Sequence, residues 1–130
     1  MKTLLPPGWP RPKGYSNGIS AAGRIVMTAG VVGWNAREEF AAADFAGEFR
    51  QVLVNTLAIL AEAGAGPEHI VRMTWYVTDL DQYRADLRGI GQAWRELVGR
   101  HYPVMAVVGV TGLVETAARI EIETIAVIEE

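Results

Sequence analysis

The reading of the fold turns on DFAGEFRQVLVNTLAIL, residues 44–60. Phe45, Phe49, Val52, Leu53, Thr56 and Leu60 recur at helical spacing on one stripe, with Glu48, Gln51, Asn55 and Glu62 on the other side. Asp44 can accept from the free N–H groups of the first turn, and Gly64 followed by Gly66-Pro67 ends the run. Beyond it the period changes. IVRMTWYVT, residues 70–78, is β-branched and aromatic and predicts a strand. A second helix is expected after the cap Asp81, with Tyr83, Leu87, Ile90, Trp94, Leu97 and Val98 turned inward and Gly99 as its stop. Residues 104–112 and 118–128 read as closing strands. Upstream, 17–21 and 24–30 read as strands on either side of a tight hairpin turn at Ala22-Gly23, and 33–43 as a loop. Residues 1–14, with prolines at 6, 7, 10 and 12, predict an extended arm packed on the body and anchored by Trp9. The order ββαβαββ is an α+β domain over residues 1–130, one sheet covered by two helices.

Composition narrows the function. Half of the 130 residues are hydrophobic and 21% charged, as a packed domain requires. The absence of cysteine removes disulfides, thiolate metal sites and thiol nucleophiles. A net charge of −3 without a basic stripe makes a nucleic-acid partner unexpected. No apolar run reaches the ~20 residues of a membrane helix, and the start is too short and proline-broken for a signal peptide, so a cytoplasmic location is expected. His69 and His101 lack ligand spacing, Ser16 and Ser20 lie in no nucleophile elbow, and Gly64-Ala65-Gly66 ends a helix instead of opening one. No metal site and no cofactor are expected.

Two helices cover one face of a sheet, yet residues 104–110 are apolar on both: Val104, Ala106, Val108 and Val110 on one face, Met105 and Val107 on the other. A large bare apolar face is an association site, and self-association into a homo-oligomer is expected. On the last strand, alternation puts Arg119, Glu121 and Glu123 on one face and the isoleucines on the other. A carboxylate of this row, placed at a subunit boundary, could hold and activate a water. Tyr15, after Lys13-Gly14, could close over such a site.

Several segments, in order, resemble the Rid (reactive intermediate deaminase) or YjgF family: Lys13-Gly14-Tyr15-Ser16-Asn17-Gly18, Val26-Met27-Thr28-Ala29-Gly30, Arg50-Gln51-Val52-Leu53-Val54-Asn55, residues 70–79, and Ile120-Glu121-Ile122-Glu123-Thr124-Ile125-Ala126-Val127. The resemblance implies a chorismate-mutase-like fold and a barrel-centred homotrimer with pockets between subunits. It also implies hydrolysis of reactive enamines and imines, such as 2-aminoacrylate, to ammonia and a 2-oxo acid, so a hydrolase (deaminase) acting on C–N bonds of a small metabolite is the expected class. Glu121 then matches the water-positioning glutamate, Tyr15 the pocket tyrosine, and Gly30 the turn glycine.

Against that pattern the carboxylate-gripping arginine falls on Met105, the turn serine on Ala29 and the glutamine after the turn on Val31. Leu87 stands for an asparagine and Val107 for a cysteine. Losing a buried charge-assisted contact costs ~2–5 kcal/mol, so a simple 2-imino acid is not the expected substrate unless Arg24, Arg100 or Arg119 supplies the charge. The competing readings are a non-catalytic trimer that binds an uncharged metabolite and, more remotely, an RNA-acting translation inhibitor or endoribonuclease.

Overall fold

The computed structural model describes residues 1–130. In chain order the elements are β1 (Lys2–Leu4), β2 (Gly18–Ser20), β3 (Arg24–Met27), β4 (Val31–Val32), α1 (Phe45–Ala61), β5 (Ile70–Val77), α2 (Leu80–Ala85), α3 (Leu87–Leu97), β6 (Val104–Gly109) and β7 (Ile120–Ile128). Helix α1 forms as its spacing requires. Asp44 Oδ1 accepts from Gly47 N at 2.8 Å, and Phe49, Val52, Leu53 and Leu60 are fully buried. Each such side chain contributes about 1.5–3 kcal/mol of burial.

The main sheet runs β3-β7-β5-β6, with β4 pairing β7 beyond the end of β3. β7 is antiparallel to β3, β4 and β5, while β5 and β6 are parallel. A parallel pair needs a crossover, and α2 with α3 supplies it. The architecture is the expected α+β, with helices on one face and the core between them and the sheet.

Local differences have nonlocal causes. The hairpin at Ala22-Gly23 does not form: β2 pairs with β1 in a separate ribbon, and β3 pairs with β7. Gly23, at φ 147°, lies so close to the Ile128 carbonyl that a Cβ could not fit, and the chain there turns onto β7 rather than back on itself. Trp9 is 59% exposed and anchors nothing; the arm is held at its other end by β1. The second helix starts two residues early, capped by Asp79, whose Oδ1 accepts from Asp81 N and Gln82 N. It then breaks at Asp86, which leaves helical geometry and accepts from Ala46 N at 2.8 Å, tying the break to the start of α1. Leu87, expected inward, is 52% exposed just past that break.

Glu48 is the one buried acid. Its Oε2 accepts from Arg119 N at 2.6 Å, and its Oε1 lies 3.6 Å from Arg119 Nε, joining α1 to the start of β7. Glu48→Gln keeps the shape and removes the charge, and is expected to lower unfolding stability by about 1–2 kcal/mol, the difference between charged and neutral hydrogen bonds. Urea denaturation followed by circular dichroism checks this.

The other face of the sheet has no helix over it. Ile25 and Met27 of β3 are 63% and 68% exposed, and Val108 of β6 is 40% exposed. Between these edges stand Glu121 and Glu123 of β7 and Tyr76 of β5. Tyr76 OH donates to Glu123 Oε1 at 2.6 Å, and this bond holds the phenol above its ordinary pKa. No helix is long and apolar enough to cross a membrane.

Candidate functional site: a pocket and a carboxylate on opposite faces

On the covered face, α2, α3 and β6 enclose a cavity of about 500 Å³. The register Met73↔Met105 and Trp75↔Val107 turns Met105 and Val107 toward the helices, into this cavity. Aromatic rings build the rest. Trp75 packs on Phe49 at 4.7 Å between centroids and meets Tyr83 edge-on at 6.3 Å. Trp94 stacks on Tyr102 with 13° between planes and donates from Nε1 to the His101 carbonyl at 3.2 Å. The buried Trp75 Nε1–H has no acceptor. Ser16 N donates to Pro103 O at 3.1 Å and Ser16 Oγ to Tyr102 O. These two bonds fasten residues 13–16 to the start of β6 and bring Tyr15 to the cavity wall.

On the uncovered side a bulge shapes the second group. From the Met27↔Ile125 pair to the Val31↔Ile122 pair, four residues on one strand are matched by three on the other. Thr28 N donates to Thr124 O at 2.9 Å and Thr124 N to Thr28 Oγ1 at 3.1 Å, so the extra residue is forced into Ala29-Gly30. A Cβ on Gly30 would lie 2.4 Å from Glu121 Oε2, so only glycine admits the carboxylate there. Asn55 of α1 holds the chain after the bulge, donating from Nδ2 to Val32 O at 3.0 Å and Trp34 O at 2.7 Å. Glu123 is taken by Tyr76 and Glu48 by Arg119, which leaves Glu121 as the carboxylate at the bulge.

The structure therefore brings Tyr15, Leu87, Met105 and Val107 together in one place, and Ala29, Gly30 and Glu121 in another, while Val31, paired with Ile122, turns its side chain into the core. The two groups do not meet within a chain. Met105 and Val107 face the helices, whereas Glu121 faces away from them, on the uncovered side. The histidines are structural: His69 Nδ1 accepts from Gly66 N, and His101 Nε2 contacts the Ile70 carbonyl. His, Asp and Glu side chains do not cluster in threes that could hold a metal ion. Of the suggested arginines, Arg24 bonds the Ala63 carbonyl and pairs with Glu130, Arg119 pairs with Glu48, and Arg100 lines a different cavity. The cations at the aromatic pocket are Lys13 and Arg95. Sequence reasoning missed Arg95, a helix-surface arginine in no motif, and met Lys13 only as part of the segment that carries Tyr15.

Residues 10–128 match the family described as Endoribonuclease L-PSP. The chain belongs to this family, the Rid or YjgF proteins. It is 32% identical over 128 residues to a RutC family protein of Aquifex aeolicus, covering 98% of this chain and 99% of that one. Among solved structures it is similar to the Rid family protein YyfB of Yersinia pestis, with a TM-score of 0.84 at 30% identity and 98% of each chain covered. It is also similar to E. coli TdcF with bound serine, with a TM-score of 0.70 at 28% identity, covering 99% of this chain and 100% of that one. The Rid fold thus extends over 98% of the chain.

Proposed function

We infer that this Rid protein is a hydrolase of enamines or imines whose site is completed between copies of the chain. One observation carries the reading: an aromatic pocket lined by no carboxylate or histidine, and the Glu121 carboxylate outside that pocket, lie on opposite faces of one sheet. Three copies packed through their uncovered faces would bring Glu121 of one to the β6 edge of the next, the strand whose Met105 and Val107 line the pocket. The exposed apolar side chains Ile25, Met27 and Val108 support that packing, and the bound serine of TdcF supports a small-molecule ligand.

The chemistry asks little of the protein. An enamine first takes a proton on carbon to become the iminium ion. Water, held by the Glu121 carboxylate, adds its oxygen to the iminium carbon while one of its protons passes to the carboxylate, giving a neutral carbinolamine. Glu121 then returns that proton to nitrogen, the C–N bond breaks to release ammonia, and the hydroxyl gives up its proton to solvent as the carbonyl forms. A positioned proton-transfer group contributes about 10²–10⁴ in rate, enough for substrates that already hydrolyse in water. Met105 offers no charge beside the reacting carbon, so the substrate is not a simple 2-imino acid.

The test generates imines in situ from amino acids with an oxidase and follows ammonia release with and without the purified protein. Acceleration by a trimeric species is expected for at least one of the aromatic and cyclic imines. No acceleration across acidic, aromatic and cyclic substrates overturns the hydrolase reading, and ligand-induced thermal shifts without product would favour a binding protein.

A further inference from the structure

We propose that Arg95, assisted by Lys13, is an anion anchor at the mouth of the aromatic pocket, and that the site takes ligands with an apolar or aromatic body and an acid group remote from the reacting carbon. The proposal rests on the intersubunit site inferred above and names its ligand class.

Arg95 and Lys13 line the pocket, and no aspartate or glutamate does. In a chain of net charge −3, a cavity walled by two cations and no acid selects for negative charge. Arg95 lies back along its own helix: a Cβ on Gly91 would meet its Nη1 at 3.2 Å. Glycine inside a helix costs about 1 kcal/mol relative to alanine, and here the space of the missing methyl lies against the guanidinium. The adjacent acid spends its hydrogen bonds elsewhere, Glu96 being bonded to Arg50 at 2.6 Å and to Gln92 at 3.1 Å. Arg95 is thus a planar, five-donor cation directed over an apolar cavity.

Its place in the fold sets the ligand's shape. Met105 and Val107 stand on strand β6, where a charge would sit beside the reacting carbon, whereas Arg95 stands on α3 across from that strand. An acid group on Arg95 therefore leaves the apolar body against Trp75, Trp94 and Met105. An arylalkyl carboxylate carrying its C=N at the far end from the acid fits this division.

The test uses binding, which is independent of turnover. Trp75 and Trp94 line the cavity, so their fluorescence reports occupancy. The full-length protein is titrated with 3-phenylpropionate and with 3-phenylpropionamide. The acid is expected to bind about tenfold or more tightly than the amide, a gap that narrows as salt rises. Arg95→Gln, a surface change between good helix formers, should erase the gap; Arg100→Gln, in the neighbouring cavity, should preserve it. Equal binding of acid and amide, no binding of either, or a gap that survives Arg95→Gln overturns the proposal. Glu121→Gln should keep the gap while hydrolysis stops, so failure of the hydrolase reading and failure of the anchor give different results.

Discussion

Glu121→Gln is expected to slow imine hydrolysis about 10²–10⁴-fold, the contribution of one positioned proton-transfer group, with folding and assembly unchanged. Glutamine has the same length and still fits against Gly30, but it cannot take the proton of the attacking water. The side chain is half-buried on the uncovered face and forms neither the Tyr76–Glu123 bond nor the Glu48–Arg119 pair, so its loss should not propagate into the core. The variant also reads out where the site is. A second variant, Val107→Trp, fills the pocket and leaves Glu121 intact. Mixed oligomers of the two inactive proteins should recover activity, because some interfaces then pair an intact carboxylate with an intact pocket. Retained activity in Glu121→Gln alone sinks the mechanism; absence of recovery on subunit exchange sinks the two-chain site.

Met27→Asp combined with Val108→Asp is expected to abolish self-association and, with it, all hydrolysis, while the circular dichroism spectrum is retained. Met27 and Val108 project from strands β3 and β6, at opposite edges of the sheet, and neither lies in the core. In a lone chain both aspartates would be solvated. In an assembly that buries this face each unpaired carboxylate costs several kcal/mol, and every copy carries two. Sedimentation velocity should therefore shift from an oligomer to a monomer. A wild-type protein that sediments as an active monomer would remove the need for a second chain, and the pocket would have to find its base on the covered face.

Much of this was legible locally. The α1 stripe, the Asp44 cap and the stop at Gly64 follow from 3.6-residue spacing and end chemistry, and the helix lies where those signals put it. The alternation on β7 placed Glu121 and Glu123 opposite the buried isoleucines, as observed. The supposed hairpin at Ala22-Gly23 failed for the opposite reason: two short strand patterns beside a glycine say nothing about which distant strand each will pair with, and β7 competed for β3 successfully. The break at Asp86 was hidden because its partner, Ala46 N, is forty residues away.

The candidate site divides the same way. Alternation and residue chemistry alone pointed to a carboxylate of the Arg119, Glu121 and Glu123 row and to Tyr15 beside it; the choice of Glu121, Gly30 and the substitution at Met105 came from the resemblance to the Rid family. Only the folded chain showed that Glu121 and Met105 occupy opposite sides of the sheet, that Gly30 is required by the approach of a carboxylate, and that Arg95 leans over Gly91 toward the aromatic cavity. Periodicity assigns a residue to a face of its own element, but what lies across that face depends on contacts far apart in the chain, and no local pattern encodes them.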